Sequence, residues 1–231
     1  MIKKKWQLWA VFGSSWLVGS LAWAQMPSAM VLGVQGDVVL ELANKTQAQT
    51  LEPLVRLLEG DRLRLGSGAS VRLLYARSGT QEEWQQAGVL QIERAKTVVL
   101  RGQPQVTTRQ LPTAISQQMA RTPRSDSTGR IGGVRLRNLP LDPNAPPDSS
   151  KLAQLEENYQ ALRQSTPSTD HSPEIYLLAG LRDLAAHERL RTELQRLQTQ
   201  YPDDAVVARL QTLYAGVLPA PATPSTEDAA K

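Results

Sequence analysis

The chain of 231 residues contains no cysteine, and it has only one phenylalanine and two histidines. Without cysteine, the protein has neither a disulfide framework nor a thiol for a lipid anchor. Four of the five tryptophans and the single phenylalanine lie in the first 24 residues, so large aromatic side chains are scarce elsewhere. The folded parts must therefore be held together by aliphatic cores.

The scarcity of histidine also limits the chemistry that the chain can perform. His171 and His187 each lack a second His or Cys at metal-ligand spacing, and the adjacent carboxylates Glu82 and Glu83 point apart on a strand. Gly66-Ser67-Gly68 is followed by a strand pattern and lacks the Gly-Lys-Ser/Thr ending of a phosphate-binding loop. The sequence therefore predicts no enzyme, no cofactor and no metal site.

The first 24 residues have the three parts of an export signal. Three lysines at positions 3 to 5 precede an apolar run from Leu8 to Leu21, which ends at Ala22-Trp23-Ala24. A small-x-small ending is the form that a signal peptidase reads. We expect a cleaved signal peptide over residues 1–24 and a periplasmic or secreted protein. A retained anchor is the alternative, since Trp6 to Ala24 is almost long enough to cross a bilayer.

The net charge argues against one class of partner. Of the 26 basic residues, three are the lysines of the N-terminal segment, which leaves 23 bases against 22 acids. So small a surplus provides no electrostatic basis for binding nucleic acid. After signal cleavage, no remaining stretch is apolar enough to span a membrane, so we expect neither a nucleic-acid partner nor a membrane span.

Between Met30 and Leu100, apolar and polar residues alternate over short runs, as Leu63 and Leu65 do with Arg62 and Arg64. A period of two is typical of half-buried strands. Turn signals separate these runs at Gln35-Gly36-Asp37, Glu59-Gly60-Asp61, Gly66-Ser67-Gly68 and Ser78-Gly79. The pattern predicts six to eight antiparallel strands that form a small β-roll, sandwich or barrel over residues 25–101.

The order of these motifs resembles the FecR-like periplasmic domain. The matching motifs are Gly36-Asp37-Val38, Leu58-Glu59-Gly60-Asp61-Arg62-Leu63, Gly68-Ala69-Ser70-Val71-Arg72-Leu73, Gly79 and Leu90-Gln91-Ile92. The resemblance covers about residues 31–100, and it implies a β-rich fold without catalytic residues. The signalling members also carry a cytoplasmic anti-sigma segment and an internal membrane helix. Neither has a counterpart here, so transmembrane signalling is not implied.

Residues 102–149 lack a regular apolar period. Seven of the 15 prolines fall between residues 101 and 150, together with seven arginines and three aspartates. Proline removes backbone donors, and a low apolar density does not offset the entropy of ordering the chain. We expect a linker that holds its flanking parts at a distance, unless Val134 to Leu139 docks as a strand. Its arginines are either solvated or attracted to anionic envelope components.

From Ser150 to Val217 the apolar period becomes that of helices. Ser172-Pro173-Glu174 is a helix start, and Tyr201-Pro202-Asp203-Asp204 closes one helix and caps the next. Residues 172–217 resemble a tetratricopeptide-like helical pair, although Leu178, Leu190 and Leu197 stand where that motif prefers Gly or Ala. We expect an α+β protein with helical hairpins over residues 150–217 and a disordered tail over residues 218–231.

Three residues are candidate ligand or partner contacts: Trp84, Arg182 and Arg196. Trp84 stands in a polar segment, where it either contacts a sugar or a partner or fills the β core. The leading hypothesis is a non-enzymatic envelope protein whose helical segment binds another envelope protein or self-associates. The alternative is a module that binds peptidoglycan or another glycan through Trp84 and the arginines of the linker.

The N-terminal pattern makes a direct prediction. Because the basic residues, the apolar run and the Ala22-Trp23-Ala24 site occur in the order that export requires, the mature protein should begin at Gln25. N-terminal sequencing of the protein from a periplasmic extract measures this. A membrane-bound product that retains Met1 would show that the segment is an anchor.

Overall fold

The computed structural model describes residues 27–43, 48–124 and 147–218. Four predictions fall outside these residues: the signal peptide over 1–24 with its cleavage site, the docking of Val134 to Leu139, the linker between 125 and 146, and the tail beyond residue 218. The described part is α+β, with ten strands followed by five helices. The strands are β1 (Ala29–Gln35), β2 (Val38–Glu41), β3 (Ala48–Thr50), β4 (Arg56–Leu57), β5 (Arg62–Leu65), β6 (Ser70–Tyr75), β7 (Thr80–Gln85), β8 (Gly88–Ile92), β9 (Thr97–Gly102) and β10 (Gln105–Gln110).

The strands form two antiparallel sheets of five strands each, and neither sheet closes into a barrel. Sheet A has the order β10-β7-β6-β1-β4, and sheet B has the order β3-β2-β5-β8-β9. Alternate residues of the two sheets, such as Val31 and Leu73 of sheet A and Leu40 and Leu63 of sheet B, share one apolar core. The sheets therefore pack face to face, which agrees with the sandwich among the three architectures expected from the sequence, and the period of two reflects strands with one face in this core.

Two of the turns require glycine for steric reasons. Gly79 has φ +76°, and a Cβ at this position would collide with the carbonyl oxygen of Leu111. Gly102 has φ +86°, and a Cβ there would lie 2.8 Å from the carbonyl oxygen of Ala87. L-residues with a side chain rarely adopt this left-handed conformation, so both glycines serve tight connections between strands.

The five helices are α1 (Thr113–Met119), α2 (Ser149–Gln164), α3 (Ser172–Asp183), α4 (His187–Gln200) and α5 (Ala205–Ala215). The predicted start of α3 is confirmed, with Pro173 and Glu174 in its first turn, but Ser172 is the first helical residue and the side chain of the N-cap residue makes no capping hydrogen bond. The predicted cap of α5 is confirmed too, since the Asp204 carboxylate accepts hydrogen bonds from the amides of Val206 and Val207. None of the described helices is long and apolar enough to cross a membrane.

Strand β10 and helix α1 lie within residues 102–149, which the composition predicts to be a linker. Strand β10 pairs along its whole length with β7, and α1 buries Ser116 and Met119. The sequence pattern predicts neither β10 nor α1, for a physical reason. Five of the six residues of β10 are exposed, and a single buried turn is too short to establish a helical period.

The expectation that a linker holds the helices at a distance from the β part is wrong. Met30, Leu32 and Leu74 of sheet A belong to the same apolar core as Leu178, Leu210 and Tyr214 of the helices. Side chains on one face of sheet A thus meet sheet B, and those on the other face meet the helices. The described chain is a three-layer structure in which sheet A is the middle layer.

This arrangement predicts that the two halves remain together when the chain between them is cut. We expect that a protease site inserted between Gly132 and Gly133, once cleaved, leaves two pieces that co-elute in gel filtration, because they share a buried core. The Leu74→Asp variant should release them, since it places an unpaired carboxylate in that core. Separate elution of the cleaved wild-type pieces would contradict the three-layer description.

Candidate functional site

Trp84 lies in the core between the two sheets and is 5% exposed. Its indole N–H donates a hydrogen bond of 2.9 Å to Oε2 of the buried Glu82, and Oε1 of Glu82 accepts from the backbone amide of Thr97 at 3.4 Å. The tryptophan therefore fills the core and helps to fix strand β9. Its ring is not available to stack on a ligand at the surface.

Arg182 and Arg196, the other two candidate contacts, are engaged with their neighbours in the helical layer. Arg182 contacts the carboxylate of Asp183 and the carbonyl oxygen of Arg121. Partial burial acts to raise the pKa of Asp183, but its hydrogen bonds with Arg182 and Arg121 outweigh burial and hold that pKa below its ordinary value. Because its guanidinium group contacts both Asp183 and the carbonyl oxygen of Arg121, Arg182 attaches the segment that follows α1 to α3.

Arg196 is held in a similar way on α4. Its Nε donates to Glu193 at 2.7 Å, and its other nitrogens reach Gln200 and the hydroxyl of Tyr159. Partial burial acts to lower the pKa of Arg196, but the hydrogen bond with Glu193 and the electrostatic interactions with Tyr159, Glu193 and Glu174 together outweigh burial and raise that pKa. The structure therefore uses Arg196 to join α4 to α2.

A network of buried polar side chains joins sheet A to the loop between α2 and α3. Nη1 of Arg72 lies 3.2 Å from Oδ1 of Asp170, and its Nη2 lies 3.1 Å from Oε2 of Glu83. Gln81 donates to Oδ2 of Asp170 at 3.2 Å, and the amide of Ser172 donates to its Oδ1 at 2.9 Å. Asp170 is thus surrounded by donors from both layers, which fixes how the helices sit on the sheet.

His171 extends this network towards α5. The sequence places it in a loop, but its side chain is only 3% exposed, and its Nε2 lies 3.1 Å from Oδ2 of Asp204. Its Nδ1 has no hydrogen-bond partner and lies 3.8 Å from a carboxylate oxygen of Glu174. The histidine borders a cleft of about 80 Å³, also lined by Arg72 and Thr169, which has room for a few water molecules. Within the described residues no group of three or more His, Asp or Glu side chains is placed to hold a metal ion.

A different surface stands out by its exposed apolar side chains. Among the described residues, four large hydrophobic side chains are exposed: Val99 (38%), Leu100 (48%), Val106 (47%) and Val217 (41%). The first three lie on β9 and β10, which are joined by a short turn. We call β9, β10 and this turn, residues 97–110, the edge corner.

The edge corner is where both sheets end on the same side of the molecule. Strand β9 is the last strand of sheet B, and β10 is the last strand of sheet A. Val99 lies opposite Leu90 and Val106 lies opposite Trp84, so both valines face the space between the sheets at its open side. A bulge opposite Val89 and Leu90 leaves Leu100 without a direct partner.

Polar contacts hold both strands in place, β9 from the inter-sheet side and β10 from the helical side. The hydroxyls of Thr97 and Tyr75 lie 2.9 Å apart, and burial raises the pKa of Tyr75, which keeps it a neutral hydroxyl. On the other strand, Arg109 donates to the hydroxyls of Thr166 and Ser165 at 3.0 and 3.1 Å. The edge corner thus presents a fixed backbone edge, which is a ready template for another strand.

Sequence reasoning missed this surface, although a signal for it was present. Val98, Val99 and Leu100 form an apolar run in which strict alternation fails, and such a run on a strand places apolar side chains on both faces. None of the three candidate contact residues belongs to the edge corner. Trp84 is buried beneath it, and Arg182 and Arg196 lie in the helical layer.

Comparisons with protein-family models, with curated proteins and with solved structures find no significant match to this chain.

The buried network leads to a stability prediction. We expect the Asp170→Ala variant to lose about 2–3 kcal/mol of unfolding free energy, because Arg72, Gln81 and the amide of Ser172 all lose an acceptor. Urea titration measures this loss. The matched control is Asp203→Ala, an exposed aspartate near the start of α5, which should change the value by less than about 0.5 kcal/mol. Equal effects of the two substitutions would contradict a role for the network in joining the layers.

Proposed function

We propose that this protein is a non-enzymatic cell-envelope protein, exported to the periplasm, that works as a protein-interaction module with a FecR-like β part. The export pattern over residues 1–24 supports the location. Two antiparallel sheets over residues 29–110 agree with the β-rich fold that the FecR-like resemblance implies. The resemblance implies no catalytic residues, which favours binding over catalysis.

The observation that carries this proposal is the grouping of exposed apolar side chains at the edge corner. Isolated exposed hydrophobic residues are common, but a group of them on one surface usually marks a contact with another molecule. Here Val99 and Val106 border the open side of the inter-sheet core, and Leu100 follows Val99 at the bulge of β9. A partner that covers them removes apolar surface from water and completes the burial of that core.

Strand addition is the binding mode that this geometry favours. An extended segment of the partner pairs with the backbone N–H and C=O groups of β10, while its alternate side chains cover Val106 and Val99. Backbone pairing provides affinity, and the shape of the apolar opening provides selectivity. The partner we propose is another envelope protein with an extended, apolar segment, and a second copy of this chain is the alternative occupant.

The proposed binding surface lies on strands β9 and β10 and not on the helices. The apolar faces of α3, α4 and α5 contribute to the core that they share with sheet A. Arg182 and Arg196 are engaged in contacts within the helical layer. The glycan alternative through Trp84 gains no support, since a sugar-stacking aromatic must lie at the surface and Trp84 is buried.

Site-specific photo-crosslinking in intact cells tests the proposal. A photoreactive residue at Thr107 of β10 should form an adduct with a partner protein, because this exposed position lies on the proposed pairing strand. The matched control is Gln49 of β3, an exposed residue of the edge strand on the opposite side of sheet B. We expect no adduct from Gln49.

A second change links the adduct to the apolar opening. Leu100→Glu combined with Val106→Glu should reduce the Thr107 adduct at least ten-fold, because both charges would have to be buried in the contact. Because both replaced side chains are exposed, the double variant should remain folded, which circular dichroism checks. An adduct of unchanged yield, or one formed only from Gln195 on the exposed side of α4, would contradict binding at the edge corner.

A further inference from the structure

Three arginines lie on the outer face of sheet B, which is the face that points away from the core between the sheets. Residues in direct register share a face, and the row Val39, Arg64, Val89 and Arg101 crosses β2, β5, β8 and β9. The neighbouring row contains Glu41, Arg62, Gln91 and Val98. We call Arg62, Arg64 and Arg101 the arginine face.

These three arginines differ from all the others in the described part of the chain. Thirteen other described arginines each have an ion pair, a hydrogen bond or another specific contact; they are Arg56, Arg72, Arg77, Arg94, Arg109, Arg121, Arg124, Arg163, Arg182, Arg189, Arg191, Arg196 and Arg209. Arg62, Arg64 and Arg101 have no such contact with any described residue, and all three are exposed. Among the residues that the structure describes, the guanidinium groups without a specific contact therefore lie together on one surface.

The arrangement of the arginine face is two-dimensional. Arg62 and Arg64 are two residues apart on β5, which separates their Cα atoms by roughly 7 Å. Arg101 lies two strands away from Arg64, at roughly 10 Å. The three charges therefore form a triangle on the sheet, whereas a linear polymer is matched best by a row of charges. Half-buried valines, Val39, Val89 and Val98, lie between the arginines.

We propose that the arginine face binds the anionic headgroups of a phospholipid membrane. A planar guanidinium group pairs with phosphate through two parallel hydrogen bonds, and three such groups on one sheet face can each meet a phosphate in a headgroup layer. The valines between them suit the boundary between headgroups and acyl chains. Glu41 is the only acid in the two rows. Beyond Gln91, the acids Glu59 and Glu93 are balanced by Arg94 and Lys96, so the attraction of the face for anions exceeds the repulsion.

The arginine face and the edge corner share strand β9, since Arg101 belongs to both and Val98 of the edge corner lies between the arginines, but the two binding modes use different groups. The inference is therefore independent of strand addition. The edge corner uses the exposed backbone edge of β10 and apolar side chains, and the arginine face uses charges on the outer side of β5 and β9. Binding of the membrane by the arginine face would leave β10, an edge strand of sheet A, open to a partner.

Co-sedimentation of the purified full chain with lipid vesicles tests the inference. Vesicles of phosphatidylcholine with 30% phosphatidylglycerol should bind the chain, while vesicles of phosphatidylcholine alone report binding by any apolar segment. Each basic residue near an anionic surface strengthens partitioning roughly five-fold, so Arg62→Gln, Arg64→Gln and Arg101→Gln together should weaken it by about 100-fold. Raising the salt concentration should also weaken the binding of the wild-type chain to the anionic vesicles, because salt screens the charges.

The control variant removes the same number of charges from the helical layer. This variant combines Lys151→Gln, Arg189→Gln and Arg191→Gln. Its vesicle binding should stay within about two-fold of wild type, because these residues lie on α2 and α4. If the triple variant of the arginine face does not fold, the three single variants replace it, each with a loss of about five-fold.

Three outcomes would overturn the inference. The arginine-face variant could bind anionic vesicles as well as wild type, or the helical variant could lose as much binding. In the third outcome, the chain would bind soluble polyphosphate or an acidic peptide but not the anionic vesicles, which would assign the face to another partner.

Discussion

The burial of sheet A on both of its faces is the constraint on which the rest of the structure depends. Successive residues of β1 and β6 are apolar, so Val31 and Leu73 meet sheet B while Leu32 and Leu74 meet the helices. A strand that is buried on both sides is stable only when two other layers cover it. The helices are therefore part of the same folded body as the sheets, and they have less apolar surface left for partners.

Polar contacts determine how the layers are oriented, since apolar burial alone is not directional. Asp170 accepts hydrogen bonds from Gln81 on the sheet and from the amide of Ser172 at the start of α3, and it pairs with Arg72. Asp204 caps α5 and also pairs with His171. A buried carboxylate such as Asp170 is costly unless donors surround it. Asp204 is 34% exposed and adds a contact between α5 and His171, so the two groups together favour one arrangement of the helices.

Much of the fold could be predicted from the sequence, because strands, turns and caps depend on residues that are close together in the chain. Alternation identified the strands of sheet B, and the capping residue Asp204 identified the start of α5. The packing of helices on sheet A was not predicted, because the alternation of Leu73 and Tyr75 with Arg72 predicts a strand with only one buried face. Leu74 carried the missing information, since it shares the Arg72 side of β6 and packs on the helices.

The candidate site was predicted less well than the fold, because exposure depends on which strands end a sheet. The polar sequence around Trp84 left open whether this side chain lies at the surface or in the β core, and only the strands around it place it in the core. Val106 looked unremarkable, yet its place on an edge strand leaves it 47% exposed. Strand order is a long-range property, and alternation along the chain does not reveal it.

The central claim is that the β part and the helices unfold as one body, and two probes of one equilibrium test it most directly. In a chain that begins at Gln25, Trp84 is the single tryptophan and reports on the inter-sheet core, while ellipticity at the helix band reports on α2 to α5. The account predicts that both signals follow the same urea curve with one midpoint. Loss of the helix signal at a lower urea concentration, with Trp84 fluorescence still native, would contradict it.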